Sequence, residues 1–176
     1  MKITLVRHGQ TDANFSNILQ GRANNLLNDT GRRQAKNLSM LIKDKHYDYC
    51  YMSPLVRCVE TALILIGDRV EMIPEKRLIE RGLGELEGRP GEEYNSFSFW
   101  DYDKNRSDYG VEPIQDVIAR CCEFLDYIKE KHAGQDILIV THSAPFRALK
   151  HLLLNHDMDN LYDGIIPNCH YEEFNI

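Results

Sequence analysis

The sequence has little that would suit a membrane, a nucleic acid or an oxidising compartment. None of its 176 residues belong to a run of about 20 apolar residues, the length a spanning helix needs. The opening MKITLV is too short an apolar stretch for a secretory leader, and it runs directly into Arg7. Basic residues are outnumbered, 21 Lys and Arg against 27 Asp and Glu, for a net charge of −6. No basic field is therefore available for nucleic acid, and an anionic substrate would need a local cationic pocket. The five cysteines (Cys50, Cys58, Cys121, Cys122 and Cys169) are odd in number and contain no CxxC pair. This argues against a disulfide framework or a zinc site and fits a reducing cytoplasm. Repeats, low-complexity stretches and linkers are also missing. A composition of 43% hydrophobic and 27% charged residues suits one globular domain over 1–176.

What is present is an alternation of short β-type runs and helical patterns. KITLV (2–6), YDYCYM (47–52), VEMIPE (70–75) and DILIV (136–140) read as strands, the last a continuous apolar run typical of a central parallel strand. NCHYEEF (168–174) reads as a last strand. Residues 31–44 read as a helix with Thr30 as N-cap, and 53–67 as a helix with Ser53 as N-cap, Pro54 at its first position and Gly67 closing it. Ile114, Val117, Ile118, Cys121, Leu125 and Ile128 keep helical spacing over 113–132, and residues 144–154 read as a further helix. The alternation predicts an α/β fold, a three-layer αβα sandwich around a mostly parallel central sheet. Residues 82–112 carry no regular pattern and include an aromatic-rich stretch, 94–109. This stretch reads as a cap packed on the core, with a substrate platform as the sharper alternative.

In open α/β sheets, ligands bind beyond the carboxyl ends of the parallel strands. Arg7 and His8 follow the first strand, and His142 follows DILIVT. Arg57 lies one turn into the helix after the second strand, and helical side chains lean back toward their own N-terminus, so it points at the same edge. Ser143 and Ala144 open a helix, whose free N–H groups favour an anion. Two arginines, two histidines and a helix N-terminus around one point suit a phosphoryl group. A neutral imidazole can attack phosphorus, and a carboxyl group shielded from water can protonate the leaving oxygen. Glu80, Glu85 and Glu87 in RLIERGLGELEG (77–88) are the candidates for that acid.

Five segments in this order also resemble a known family. LVRHGQTDAN (5–14) with Gln20–Gly21, LNDTGRRQA (27–35), SPLVRCVETA (53–62), LIERGLGELEG (78–88) and VTHSAPFRAL (140–149) resemble the histidine phosphatase superfamily, the phosphoglycerate mutase-like family, over nearly the whole chain. The resemblance implies a phosphoglycerate mutase-like fold, with His8 as the phosphorylated nucleophile and Glu80 as the proton donor. It implies Arg7, Arg57 and His142 as ligands of the phosphoryl oxygens. It places Asn14, Gln20 and Gly21 along the pocket and a backbone N–H at Ser143. Ser143 stands where the family often has glycine, and a positive φ there would strain it. No cofactor and no metal are expected. Arg22 could equally reach the phosphate or lie on the surface. His46, His132, His151, His156 and His170 show no ligand spacing.

Three functions stay open at this point: a phosphomonoester hydrolase, a phosphoglycerate mutase-type phosphoryl transferase, and a non-catalytic phospho-ligand-binding protein. Glu80 speaks against the last, since a binder needs no acid. Known mutases resemble a longer chain with a larger insert, and must hold additional anions of the substrate. The short insert at 88–113 has only Arg89, Lys104 and Arg106 as cations, against Glu92, Glu93, Asp101, Asp103, Asp108 and Glu112. This favours a cytoplasmic hydrolase acting on a small phosphorylated metabolite, with neither nucleic acid nor membrane as partner. The substrate's identity and the oligomeric state are not legible in the sequence.

Overall fold

The computed structural model describes residues 1–93, 97–162 and 164–176. Its strands are β1 (Lys2–Arg7), β2 (Tyr49–Met52), β3 (Glu71–Pro74), β4 (Asp136–Thr141) and β5 (Tyr171–Asn175), joined in one sheet of order β3-β2-β4-β1-β5. The first four run parallel, and β5 pairs antiparallel with β1. Registers align the strand ends: Arg7 lies opposite Thr141, and Met52 opposite Val140. The residues that follow, His8, Ser53 and His142, therefore leave the sheet along one edge.

Helices α1 (Asp12–Phe15), α2 (Asp29–Leu41), α3 (Val56–Ile66), α4 (Ile114–Lys131) and α5 (Ser143–Leu154) complete the fold. Strand side chains alternate between faces. Ile3, Leu5, Ile137 and Ile139 pack with Val117, Phe124, Phe146 and Leu149 of α4 and α5. Val6, Leu138 and Val140 pack with Leu38, Ile42, Ala62 and Leu65 on the α2–α3 side. This is the three-layer arrangement that the alternating pattern predicts. Each such side chain taken out of water contributes about 1.5–3 kcal/mol. Among the described residues no helix is long and apolar enough to cross a membrane.

Two helix starts differ from the sequence expectation. The N-cap of α2 is Asn28, not Thr30: Asn28 Oδ1 accepts from the Gly31 N–H at 2.9 Å. The helix begins early because Gly31 meets the loop after β1 backbone to backbone, where a Cβ would sit 2.1 Å from the Gln10 carbonyl oxygen. Helix α3 starts at Val56, and Leu55 precedes it with no side-chain cap bond. Ser53 is drawn away to a different partner, described below.

Residues 82–112 are not structureless. Their described part forms 3₁₀ turns at Gly84–Leu86, Gly91–Glu93, Phe97–Phe99 and Asp108–Gly110. Leu83, Leu86, Phe99 and Val111 bury one another in a small satellite core. Arg81, 1% exposed, ties this unit down through Nε to the Glu112 carbonyl and Nη1 to the Phe99 carbonyl, both at 2.6 Å. Residues 94–96 of the expected aromatic cap lie outside the described residues.

Candidate active site

A cavity of about 540 Å³ opens at the carboxyl edge of the sheet, lined by Arg7, His8, Asn14, Gln20, Gly21, Arg57, Glu80 and Ser143 among others. Eight of the nine residues read from the sequence thus face one space. The ninth, His142, is fully buried just behind it, with its ring centroid 5.1 Å from that of His8.

The position of His8 follows from β1, whose last residue precedes it, and from the tight loop that turns over α2. His8 Nδ1 lies 2.7 Å from the Gly9 carbonyl oxygen. A carbonyl only accepts, so Nδ1 carries the proton and Nε2 keeps its lone pair. Burial, then the charges of Arg57 and Arg7, hold the imidazole well below its ordinary pKa, so it is neutral at pH 7. The Gly9 N–H donates to Thr61 Oγ1 at 3.1 Å, and Thr61 Oγ1 donates to the Arg57 carbonyl at 2.6 Å, fastening the loop to α3.

Arg57 is 1% exposed and heavily directed. Nε donates to His142 Nδ1 at 3.1 Å, Nη1 to the Ala23 carbonyl at 2.7 Å and Nη2 to the Gly21 carbonyl at 2.8 Å. One hydrogen of each Nη is used in this way, and the other can meet an anion. Gly21 must be glycine: its φ is +48°, and a Cβ would lie 2.1 Å from Glu87 Oε1. Arg7 Nη1 donates to the Ile166 carbonyl. Burial lowers the Arg7 pKa, Glu80 opposes that shift, and Arg147 and Arg57 add to it. Both guanidiniums keep their charge, as arginine does in proteins.

His142 is tied up on both nitrogens. Nδ1 accepts from Arg57, and Nε2 donates to Ser53 Oγ at 2.7 Å. Its pKa is also held well below the ordinary value, by burial first and then by Arg57. In this geometry His142 orients Arg57 and packs against His8. The Cys58 Sγ lies 3.4 Å from His142 Nε2, with burial pushing its thiol pKa up, so it stays uncharged there.

Glu80 reaches the cavity from the loop after β3. Its Oε2 accepts from the Ser143 N–H at 3.1 Å, and its Oε1 from Ala144 N–H at 3.2 Å and Arg81 N–H at 2.8 Å. The Glu80 carboxyl group sits against the first turn of α5. Ser143 is an ordinary helical residue without positive φ, so serine is unstrained in the place of glycine. Glu87 accepts from the backbone N–H groups of Arg22 and Leu83 and holds the Gly21 turn, not the cavity. Arg22 pairs with Glu112 at 3.0 Å and donates to the Glu80 carbonyl, away from the phosphoryl cations. Among the described residues no group of three or more His, Cys, Asp or Glu side chains is placed to hold a metal ion.

The sequence reading missed several contributors. Ser53 was read only as a helix cap, although its place in SPLVR carries the link to His142. Asn168 donates to the His8 carbonyl at 3.1 Å and to Asn14 Oδ1 at 3.3 Å, and Cys169 N–H donates to the Arg7 carbonyl at 3.1 Å. Trp100, Tyr162 and Ile165 line the outer part of the cavity. Nothing local in NCHYEEF or in 161–166 signals these contacts, which join segments some 160 residues apart.

Comparison with known proteins identifies the family. The family model for the histidine phosphatase superfamily (branch 1) matches residues 3–176. Phosphoserine phosphatase 1 of Hydrogenobacter thermophilus is 31% identical over 178 residues, covering 97% of this chain and 84% of that protein. A 2,3-bisphosphoglycerate-dependent phosphoglycerate mutase of Thermoplasma acidophilum is 32% identical over 174 residues, covering 96% and 84%. Among solved structures, Bacillus stearothermophilus YhfR superposes with a TM-score of 0.88 at 27% identity, covering 98% of this chain and 89% of that one. The chain belongs to branch 1 of the histidine phosphatase superfamily.

Proposed function

We propose that this protein is a metal-independent phosphomonoester hydrolase that works through a phosphohistidine on His8. The observation that carries the reading is the state of His8: a neutral imidazole, its Nδ1 proton committed to Gly9, its Nε2 lone pair beside the Arg7 and Arg57 guanidiniums. The two arginines neutralise the phosphoryl oxygens and make the approach of a nucleophile to phosphorus possible. His8 Nε2 forms the N–P bond as the ester P–O bond breaks, and protonated Glu80 delivers its proton to the leaving oxygen. Glu80, then a carboxylate, takes a proton from water as the water oxygen attacks phosphorus. The N–P bond breaks, inorganic phosphate leaves, and His8 and Glu80 return to their starting states. Arg7, Arg57 and His142 serve the phosphoryl group, His142 by orienting Arg57. Asn14, Gln20, Gly21 and Ser143 shape the cavity around the substrate.

The test is a quenched turnover with a labelled small phosphomonoester in excess EDTA. The expected result is an acid-labile, base-stable label on His8, full phosphate release despite the chelator, and neither in His8→Ala. Label on serine or cysteine, or an active His8→Ala, overturns the assignment. A mutase is the second reading, supported by the Thermoplasma relative. Interconversion of 3- and 2-phosphoglycerate, primed with a bisphosphate, that outpaces hydrolysis would favour it.

A further inference from the structure

The cavity is much larger than a phosphoryl group, and its outer half is of a different character from its floor. Leu83, Trp100, Tyr162 and Ile165 line that half together with the buried Arg81, and Ile165 is 85% exposed at the rim. Trp100 and Tyr162 form a ring pair, with centroids 5.4 Å apart and planes tilted by 40°. Two buried arginines pack against them. The Arg147 guanidinium lies 4.7 Å from the Tyr162 ring centroid and 5.4 Å from that of Trp100, and Arg81 lies 5.8 Å from Trp100. These guanidiniums are 1–2% exposed and donate in their planes to backbone carbonyls, Arg81 to Glu112 and Phe99, Arg147 to Leu161 and Gly164. Both guanidiniums are thus directed at carbonyls and ring faces. What the outer cavity presents to the alcohol half of a substrate is an aromatic wall with an apolar rim.

We propose that the Trp100–Tyr162 wall selects phosphate monoesters whose alcohol carries a flat, uncharged ring over those carrying a carboxylate or a second phosphate. The proposal rests on the reading that the Arg7–His8–Arg57 end takes the phosphoryl group. A ring against the wall removes apolar surface from water on both partners and stacks in the offset or tilted geometry that aromatic pairs prefer. A carboxylate in the same place would lose its hydration and, among the described residues, meet guanidiniums that are buried and already donate to carbonyls. Tyr162, 37% exposed, and Trp100, anchored over Arg81 and Arg147, are the specificity-determining residues.

The experiment pairs binding with turnover, using the full chain. Calorimetry compares 2-phenylethylphosphonate, ethylphosphonate and 3-phosphonopropionate, none of which can be hydrolysed. The wild type should bind the phenyl compound roughly tenfold tighter than ethylphosphonate, the usual scale for filling an apolar subsite, and 3-phosphonopropionate no tighter than ethylphosphonate. Tyr162→Ala should remove most of the phenyl advantage and leave ethylphosphonate within about threefold. Trp100→Phe, which keeps a ring on the core, should weaken the phenyl advantage without abolishing it. Turnover of benzyl phosphate should exceed that of O-phosphoserine and of ethyl phosphate by a similar factor. A preference for 3-phosphonopropionate, equal losses on all three phosphonates in Tyr162→Ala, or no binding of any of them overturns the wall. If the phosphonate ranking holds but no ester is hydrolysed, the hydrolase reading fails alone. If esters turn over without preference for the ring and the phosphonates show none, the wall fails alone.

Discussion

The Glu80 carboxyl group accepts from the Ser143 N–H, at 3.1 Å, on the helix turn whose free N–H groups favour an anion. A phosphoryl group that approaches this turn competes with the acid for it. The two bonds to Ser143 and Ala144 therefore make Glu80, the acid of the proposed mechanism, also a rival of the substrate for this turn.

Two opposite effects follow from changing Glu80. Glu80→Ala should bind inorganic phosphate about 3- to 30-fold tighter than the wild type, the range of an anion's interaction with a helix N-terminus. Glu80→Gln should slow hydrolysis of alkyl phosphates by roughly 10²–10⁴, but that of p-nitrophenyl phosphate much less, because its leaving group hardly needs a proton. Phosphate titration and paired kinetics measure the two. Unchanged phosphate affinity would remove the rivalry, and equal kinetic losses would remove the acid.

Ser53 sits at the base of the cationic floor. Ser53→Ala leaves His142 Nε2–H buried with its acceptor removed, at a cost of about 1–3 kcal/mol. Arg57, which donates to the other nitrogen of the ring, should lose its fixed orientation. Thermal unfolding should show the destabilisation, and kcat should fall more than KM rises. A variant as stable as the wild type would mean that His142 finds another acceptor.

Acid should destabilise the protein through its two buried imidazoles. The folded pKa values of His8 and His142 lie well below the ordinary one, while an unfolded imidazole takes its proton near pH 6.5. Below about pH 6.5 the unfolded chain binds more protons than the folded one, so this contribution is fully present above that pH and is lost as pH falls toward the depressed values. Unfolding midpoints should drop as pH falls from about 6.5 to 5. In His8→Gln the drop should be smaller, since one of the two imidazoles is gone. Equal slopes would exclude His8 as a contributor.

Gly31 tests the support under the nucleophile. In Gly31→Ala the new Cβ would stand 2.1 Å from a backbone oxygen, which has no rotamer with which to escape. The loop after β1 must shift, costing about 1–3 kcal/mol as overpacking does. Urea midpoints should fall and turnover should fall with them, because the shifted loop carries His8. Normal stability with normal activity would show that the helix start yields instead.

The elements legible in the sequence were those whose signals are local. Val, Ile and Leu runs marked the inner strands, and 3.6-residue spacing marked α4. The site residues at strand ends were legible because topology sends the ends of β1, β2 and β4 to one edge. The α2 cap was misplaced because a close backbone approach, visible only in three dimensions, lets Asn28 start the helix. Ser53 has the chemistry of a cap, and its pairing with a histidine 89 residues away overrode that preference. Tyr162 and Asn168 act across long sequence separations with no motif of their own. The role of Arg81, a buried cation organising 3₁₀ turns, also has no periodic trace.

The clamp on Arg7 and His8 has a temporal side. Their strand is made before the rest of this sheet, and the backbone that grips them, from Ile166 to His170, is made some 160 residues later. Synthesis proceeds at about 5–20 residues per second, so on the order of 10 seconds separate the nucleophile from its holders. Until β4, which pairs with both β1 and β2, and the chain beyond Ile166 are made, His8 lacks the contacts that fix its backbone. The fixed geometry of His8 is thus a late event in the life of each new molecule, set by the arrival of the chain beyond Ile166.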